Sequence, residues 1–400
     1  MYLTHLSLSN FRNYIRLDTS MPQGTLVVMG DNAQGKTSLL EAIYYLATFT
    51  SFQAGQNREL INFLAPKADL LVGRIVAEYR RGPKNHRLEV RIIQESQGFN
   101  GVRVRREALL DGTKKKISEL VGHFNAVLFL PRMMSIIDGT PTERRRYLDL
   151  AISQTNAHYT ASLSAYNKAL SQRNALLKTL SERGGDPEQL AYWDEQIIQT
   201  GAFLIRARIQ AITEIEEQAA LIHSELTRGA ERLRLSYLPA YDPHHEPANQ
   251  MVLNFDTPID RNQFTREEIA TGFEAALKTA RRAEIARGQT TLGPHRDDVQ
   301  FLANGVDLGV YGSRGQIRTA LLSLKIAEIN WMKSKTGYWP VLLLDEVLAE
   351  LDTQRRADLI AHLTDIKQAL LTTTDVDLFG SDFLENATVW QVENGRRIDS

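Results

Sequence analysis

The feature that most constrains the fold of this chain is a glycine-rich loop near its N-terminus. The loop follows a β-branched run, 25–29, and precedes apolar residues that recur at helical spacing over 39–47. A phosphate group needs close approach by several backbone N–H groups; glycines leave room for it, and the start of a helix adds partial positive charge. The loop therefore predicts a strand–loop–helix unit of an α/β fold that binds a nucleotide. Its residues, all candidate nucleotide contacts, are Gly30, Asp31, Asn32, Ala33, Gln34, Gly35, Lys36 and Thr37.

A second segment, far along the chain, supplies the carboxylates that such a loop needs for phosphate chemistry. Four apolar residues, Val341–Leu344, end in Asp345 and Glu346. A buried parallel strand places its carboxyl end where open α/β sheets bind ligands. Taken alone, the pattern also fits a strand end followed by a helix cap. Paired with the loop, it predicts an ATPase in which Lys36 offsets phosphate charge, Thr37 and Asp345 hold Mg²⁺, and Glu346 accepts a proton from water.

Composition excludes several other classes of protein. The chain has 400 residues, which is enough for two domains. It contains no cysteine, and this excludes disulfides, thiolate zinc sites and cysteine nucleophiles. The absence of cysteine also fits a cytoplasmic protein. No apolar stretch approaches the roughly 18 residues of a membrane span, so no membrane association is expected. The first six residues alternate apolar and polar, which indicates a first strand rather than a secretion signal.

Positive charge is concentrated in one segment although the net charge of the chain is −1. Residues 74–116 contain twelve basic and five acidic side chains on predicted strands at 70–80, 87–95 and 103–110. Such a segment is either a solvated sheet face or a surface that meets DNA phosphates without reading sequence, and both interpretations stay open. The candidate DNA contacts are Arg74, Arg80, Arg81, Lys84, Arg103, Arg105, Lys114, Lys115 and Lys116.

The middle of the chain is predicted to be helical. Over 142–229 apolar residues keep a 3,4 spacing that is interrupted only at 184–187, which predicts two long helices in an antiparallel hairpin that forms an exposed arm. Residues 242–260 are predicted to form a loop or linker, and its adjacent histidines, His244 and His245, are not expected to bind metal. Further on, we expect helices at 266–287, 316–335 and 353–365, a hairpin over 299–305 and a strand at 369–372.

Two short motifs resemble those of ABC-type ATPases. Ser313-Arg314-Gly315-Gln316 precedes a predicted helix and resembles the signature loop that contacts the γ-phosphate held by a partner subunit. A simple helix N-cap explains the same residues, so both interpretations stay open here. Residues 349–352, which end in Asp352, resemble the D-loop that crosses the dimer interface.

The order of these motifs predicts an α/β fold with a split head. A helical arm separates the glycine loop from the signature, which is the layout of SMC-like ATPases rather than of transporter cassettes. We therefore expect an ABC/SMC-type ATPase head with a mixed sheet, formed by residues 1–117 and 288–400, and an inserted helical arm domain at 118–287.

Together these segments resemble the RecF family of bacterial recombinational-repair ATPases, over nearly the whole chain. The resemblance implies a protein that dimerises on ATP, binds gapped DNA or junctions of single and double strands, and hydrolyses ATP slowly with stimulation by DNA. It also implies RecR, RecO and RecA as partners in DNA repair and replication restart, and a nucleoid-associated location. The segments that carry it are Asn10–Tyr14, Gly30–Thr37, Arg144–Asp149, Gly293–Asp298 and 315–319.

By position within these motifs, the resemblance implies that Arg12 contacts nucleotide phosphate and that Ser313 and Gly315 reach ATP across the dimer. An exposed loop charge is the alternative for Arg12. His295, in the Gly-Pro-His-Arg-Asp block, is expected to be structural or to contact the nucleotide. A regulatory scaffold whose ATP state exposes the arm is the rival function, and steep salt dependence of DNA binding would separate the two.

The sequence departs from the family pattern at several positions. Gln53 stands where an arginine is usual, and Arg132 lies in a segment where the family has Pro-Glu-Asp. Arg314 replaces a common glutamine, and no Q-loop glutamine is identifiable. Threonines at 372–374 occupy the strand end at which ABC proteins carry a switch histidine.

Overall fold

The structure, a computed structural model, describes residues 1–65, 68–96, 102–244, 259–363 and 365–398. The chain divides into two units: unit 1 is Met1–Met133 with Glu328–Ser400, and unit 2 is Met134–Ala327. The strands are β1 (Tyr2–Phe11), β2 (Tyr14–Ser20), β3 (Gly24–Met29), β4 (Leu70–Arg81), β5 (Lys84–Ser96), β6 (Val102–Leu110), β7 (Thr113–Lys115), β8 (Ala126–Phe129), β9 (Leu233–Leu238), β10 (Asp298–Ala303), β11 (Val306–Asp307), β12 (Val341–Asp345), β13 (Gln368–Thr373), β14 (Ala387–Glu393) and β15 (Arg396–Ile398).

Helices occur in both units. They are α1 (Lys36–Thr48), α2 (Ile117–Leu120), α3 (Ser135–Asp138), α4 (Pro141–Thr155), α5 (Ala157–Arg183), α6 (Ala191–Leu226), α7 (Arg266–Arg287), α8 (Leu308–Tyr311), α9 (Arg314–Thr336), α10 (Thr353–Leu363) and α11 (Ser381–Glu385). None of the helices in the described parts of the chain is long and apolar enough to cross a membrane.

Unit 1 contains two six-stranded sheets. One is antiparallel, in the order β2-β1-β4-β5-β6-β7, and the other has the order β15-β14-β3-β13-β12-β8 and is parallel except for the β14–β15 pair. Helix α1 is almost entirely buried and packs against strands of both sheets. Strands β12 and β13 are buried along nearly their whole length, which explains why their sequences are continuous apolar runs rather than alternating ones.

Unit 2 combines helices with the small sheet β11-β10-β9. The hairpin expected over 299–305 is confirmed, because β10 and β11 pair across Asn304 and Gly305, both with positive φ. The helical stretch expected from residue 142 is interrupted at Asn156, which accepts a hydrogen bond from the backbone N–H of His158 and so begins α5.

The expectation that the two-helix hairpin forms an exposed arm is wrong in one respect. Helices α5 and α6 pack against each other, but α7 also packs along both of them. Phe273 and Leu277 of α7 are buried, so the apolar stripes of the hairpin are covered within unit 2. The predicted linker lies partly outside the described residues, as does His245.

The compact units also divide at different places from the expected domain boundaries at 117/118 and 287/288. Strand β8 pairs with β12, which places residues up to Met133 in unit 1. Strand β10 pairs with β9, which places residues after 288 in unit 2. Pairing between strands far apart in sequence leaves no local pattern at these boundaries.

Candidate nucleotide-binding site

The glycine-rich loop lies between β3 and α1, as expected, and neighbouring segments hold its backbone in place. Gly35 has φ 116°, a conformation that L-residues with side chains rarely adopt, and a Cβ there would lie 2.7 Å from Nδ2 of Asn13. A Cβ on Gly30 would lie 2.4 Å from the carbonyl oxygen of Val392 in β14. The hydroxyl of Tyr14 donates to the carbonyl of Gly35 (3.1 Å). The loop is therefore pre-shaped, with the start of α1 open to an anion.

Lys36 is buried at the base of this loop with its ammonium group fully partnered. Its Nζ donates to the carbonyl oxygens of Gly30 (2.7 Å) and Asp31 (3.0 Å) and lies 3.2 Å from Oε1 of Glu346. The charge of Lys36 is thus held beside the loop amides that would receive phosphate, and Glu346 lies within its reach.

Asp345, at the carboxyl end of β12, is the centre of a hydroxyl–carboxylate cluster. The Thr37 hydroxyl donates toward both of its carboxylate oxygens (2.9 and 3.0 Å), and the Thr372 hydroxyl donates to Oδ1 (2.8 Å). Burial raises the pKa of Asp345 above its ordinary value, and the hydrogen bonds from Thr372 and Thr37 oppose that rise. The structure therefore brings together two residues that are 308 positions apart in the chain.

These residues fit a bound Mg²⁺. The ion prefers a few hard protein oxygens and completes its shell with phosphate and water, and Thr37 and Asp345 supply such oxygens side by side. Asp345 is a largely buried carboxylate, and a cation would offset the cost of its burial. Mg²⁺ held there would neutralise charge on the β- and γ-phosphates.

Glu346 has an uncommon backbone conformation. Its φ is 54°, in the left-handed region that non-glycine residues avoid, and strain of this kind concentrates at functional positions. Its backbone N–H donates to the Thr372 hydroxyl (3.0 Å), which fixes the turn after β12. The side chain remains partly exposed at the sheet edge, where a water molecule can reach it.

Thr372 and Glu41 are the residues of the site that sequence patterns missed. Three threonines at the end of an apolar strand were the available signal for Thr372. Glu41 lies inside the apolar stripe of α1 and carries no motif, although it is completely buried. It accepts two hydrogen bonds from the Arg12 guanidinium (2.6 and 2.9 Å) and one from Ser51.

Arg12 is therefore a paired residue rather than an exposed loop charge. Its guanidinium also donates to the carbonyl of Glu59 (3.0 Å), and its backbone has φ 52°. The buried ion pair with Glu41 fixes the segment before Asn13 and Tyr14, which pack on the loop. A phosphate contact by Arg12 remains a prediction.

The signature-like segment belongs to unit 2 and forms the first turn of α9. The backbone N–H of Gln316 donates to the Ser313 hydroxyl (3.2 Å), and the Gln316 side chain accepts from the Ser313 N–H (2.9 Å). These reciprocal bonds are a helix capping box, so the N-cap interpretation describes this segment correctly. Arg314 is 75% exposed, and Gly315 accepts a hydrogen bond from Thr319. A role for Ser313 in a partner's site stays a prediction.

Asp352 of the D-loop-like segment caps α10. It accepts a hydrogen bond from the backbone N–H of Arg355 (2.9 Å). This bond and the Arg355 guanidinium lower the pKa of Asp352, although burial opposes the shift. The residue is exposed. Ser313 is exposed as well, and a contact of either residue with another subunit stays a prediction.

The candidate DNA contacts on the antiparallel sheet and directly after it fall into three groups. Arg74 pairs with Glu89, Arg105 pairs with Glu95 and Glu107, and Lys114 pairs with Glu107. Arg80 and Arg81 donate to backbone carbonyls. The remaining four residues are exposed: Lys84, Arg103, Lys115 and Lys116. Within the described parts of the chain, no carboxylate lies within 4.0 Å of their charged groups.

Residues of the Gly-Pro-His-Arg-Asp block are packed in the interior of unit 2. The Tyr166 hydroxyl and Nδ1 of His295 are 2.7 Å apart, and burial lowers the pKa of His295 to about 4. Asp297 accepts from the buried Arg208 (2.9 Å) and from Tyr237. A buried arginine without such partners would be strongly destabilising, which gives these residues a packing role.

Several known proteins are similar to this chain over nearly its whole length. The family model described as the RecF/RecN/SMC N terminal domain matches residues 2–396. A "DNA replication and repair protein RecF" of Chloroflexus aurantiacus is 40% identical over 408 residues, 99% of each chain. Another of that name, from Bacillus velezensis, is 36% identical over 399 residues, with both chains fully covered.

Solved structures show the same likeness. A structure described as the recombination mediator protein RecF with ATP in the RecFOR pathway superimposes with a TM-score of 0.81 at 29% identity, over all of this chain and 98% of the other. An Smc head domain from Pyrococcus furiosus has a TM-score of 0.51 at 17% identity over 99% and 95% of the two chains, which indicates a shared fold only.

Proposed function

Since this chain belongs to the RecF family of SMC-type ATPases, we propose that it is an ATP-dependent DNA-binding protein of recombinational repair and replication restart. The observation that carries the proposal is the cluster of Lys36, Thr37, Asp345, Glu346 and Thr372 at one edge of a parallel sheet. This cluster has the parts that phosphoryl transfer from ATP to water requires. Hydrolysis is slow, is stimulated by DNA, and governs release from DNA.

In the reaction, the backbone amides of the loop and the Lys36 ammonium hold the β- and γ-phosphates. Glu346 accepts a proton as the water oxygen attacks the γ-phosphorus, and the bond from that phosphorus to the β–γ bridging oxygen breaks. The products are ADP and inorganic phosphate. The Thr372 hydroxyl accepts a hydrogen bond from the backbone N–H of Glu346 and donates one to the carboxylate of Asp345. Through these two bonds Thr372 orients both residues.

The complete site is proposed to need a second copy of the chain. Ser313, Arg314, Gly315 and Gln316 would contact the ATP of the partner subunit, and Asp352 would lie at that interface. Two features of unit 2 support this role: Val310 and Tyr311, directly before Ser313, are 67% and 76% exposed. Large exposed apolar side chains beside a polar capping turn are typical of surfaces that are covered on association.

DNA is proposed to bind through its phosphates, with a preference for gapped duplex and for junctions of single and double strands. The strongest contacts are the residues without a nearby carboxylate, because their charges are not already neutralised; these are Lys84, Arg103 and Lys115 on the sheet and Lys116 directly after it. Arg80 and Arg81 contribute next, and Arg74, Arg105 and Lys114 contribute least. The chain would act in the cytoplasm, associated with the nucleoid, with RecR and RecO in loading RecA.

The test is equilibrium binding of the full chain to fluorescent gapped and plain duplexes, with and without ATP, at several salt concentrations. We expect ATP-dependent binding, tighter on the gapped duplex, with affinity that falls steeply as salt rises. Lys36→Ala is the matched control, since it should lose only the ATP-dependent part. Binding that ignores both ATP and salt would overturn the DNA part of the proposal and favour a protein-binding switch.

A further inference from the structure

The signature-like segment at the start of α9 presents one hydroxyl proton to its surroundings. The Ser313 hydroxyl oxygen accepts a hydrogen bond from the backbone N–H of Gln316 (3.2 Å), and Ser313 is exposed. That bond uses a lone pair of the oxygen and leaves its proton unused. Among the described residues, no acceptor lies within hydrogen-bond distance of the Ser313 hydroxyl. The hydroxyl can therefore donate to an outside acceptor such as a phosphate oxygen.

The conformation of this segment depends on which end of the Gln316 side-chain amide faces Ser313. The amide oxygen accepts from the backbone N–H of Ser313 (2.9 Å). If the amide were turned over, its NH₂ group would face that N–H, and two donors cannot form a hydrogen bond. The reciprocal bonds between Ser313 and Gln316 therefore need a group that selects one of the two amide orientations.

Glu231, in the connection between α6 and β9, selects that orientation. Its Oε1 accepts a hydrogen bond from Nε2 of Gln316 (2.9 Å). Because a carboxylate only accepts hydrogen bonds, the NH₂ end of the Gln316 amide faces Glu231 and the oxygen end faces Ser313. Glu231 lies 85 positions before Gln316, so the contact joins two distant segments of unit 2.

A buried histidine holds the other oxygen of Glu231. Nε2 of His223 lies 3.1 Å from Oε2 of Glu231, and Nδ1 lies 3.1 Å from the hydroxyl oxygen of Ser323 in α9. His223 has no exposed surface, and burial lowers its pKa although Glu231 opposes the shift, so the ring is neutral at neutral pH. The two carboxylate oxygens of Glu231 therefore have separate partners, the His223 ring and the Gln316 amide.

We propose that Glu231 is a positioning residue of the signature-like segment, and that it holds the Ser313 hydroxyl in the orientation that contacts a phosphate of the ATP on a second copy of the chain. The inference rests on the proposed function, because that contact is part of the proposed composite site. Glu231 itself touches no nucleotide. It acts through the Gln316 amide, and His223 fixes Glu231 from the interior of unit 2.

The experiment compares Glu231→Ala with wild type in the full chain by two measurements. These are hydrogen exchange of the Ser313 backbone amide without ATP, and the apparent Kd of dimerisation at saturating ATP. Glu231→Ala should speed the exchange and weaken dimerisation by about tenfold each, because a charge-assisted hydrogen bond behind the segment is lost. The affinity of the undimerised chain for ATP should stay unchanged, since the glycine-rich loop belongs to unit 1.

Two further variants separate positioning from a general loss of stability. Glu231→Gln should behave like wild type in both measurements, because its amide oxygen can accept from Gln316 while its NH₂ group donates to Nε2 of the neutral His223 ring. Glu216→Ala is the matched control: it also removes a carboxylate at the junction of α6 and β9, but one that pairs with Arg234 of β9. It should change neither quantity.

Wild-type exchange and dimerisation in Glu231→Ala would overturn the inference. Equal losses in Glu231→Gln or in Glu216→Ala would overturn it too, because a merely structural role of this junction has that signature. A wild-type chain that does not dimerise with ATP would instead contradict the proposed function, and with it the phosphate contact of Ser313. The two failures are distinguishable, since only the first is seen in a chain that dimerises.

Discussion

The nucleotide site and the outer face of the antiparallel sheet are both rich in charge within unit 1, but they arrange their charges in opposite ways. In the nucleotide site, Lys36, Asp345 and Glu346 come from segments far apart in sequence and converge at one edge of the parallel sheet. On the sheet face, Glu89 of β5 accepts hydrogen bonds from Arg74 on the neighbouring strand β4 and from Arg91 on its own strand.

The difference shows why counting charges in a sequence overstates a binding surface. Pairing with Arg74 and Arg91 lowers the pKa of Glu89 to about 2, which means that this carboxylate and its arginines stabilise each other. Cations engaged in this way have less to offer a DNA phosphate. On this sheet, the residues proposed to bind DNA most strongly are those without a nearby opposite charge, and that property depends on strand register.

The largest effect is expected for Lys36→Ala. Without the ammonium, the phosphates lose their main protein charge, and ATP affinity should fall by about 100-fold or more, in line with a buried charge-assisted contact. Isothermal titration with ATP measures this loss, and Lys114→Ala provides the control on the sheet. ATP affinity that stays within twofold of wild type would show that Lys36 is not the phosphate ligand.

A smaller effect is expected for Thr372→Val, which removes one hydroxyl from the site and keeps the shape of the side chain. The hydrogen bonds to Asp345 and from Glu346 are lost, and kcat should fall by about tenfold, equivalent to about 1.4 kcal/mol. Thr373→Val is the control, because its hydroxyl donates to the carbonyl of Asp375 instead. Equal kcat values for the two variants would remove Thr372 from the site.

An effect no larger than this is expected on the sheet, where two sets of substitutions sharpen the contrast. Lys84→Gln with Lys115→Gln and Lys116→Gln should weaken DNA binding by about tenfold and lower the salt slope by up to about 0.9 per lost contact. Arg105→Gln with Lys114→Gln should change either quantity by much less, because both residues are paired with acids. Anisotropy titrations over a salt series compare the two sets, and equal losses would refute the role given to pairing.

Local patterns in the sequence predicted the parts of the fold that one continuous segment encodes. The strand–loop–helix unit around Gly30–Thr37, the buried run Val341–Leu344 and the α7 helix all appear where the periodicity indicated. Each depends on neighbours in sequence, through glycine conformation, burial on both faces of a strand, or a 3,4 stripe.

The features that were missed depend on contacts between distant segments. Thr372 and Glu41 acquire their roles from partners on other elements, and the unit boundaries follow strand pairing rather than composition. The packing of α7 on the α5–α6 hairpin was missed for the same reason, because the amphipathic pattern of one helix does not identify the helix that packs on it.

The most direct test of the account is turnover by Glu346→Gln in the full chain. The substitution keeps the size of the side chain and removes the proton acceptor, so ATP should bind with near wild-type affinity while kcat falls by about 100-fold or more. Single-turnover hydrolysis of labelled ATP, with binding measured in parallel, gives both quantities. Hydrolysis at the wild-type rate would show that Glu346 is not the base and that the chemistry assigned to this edge of the sheet is wrong.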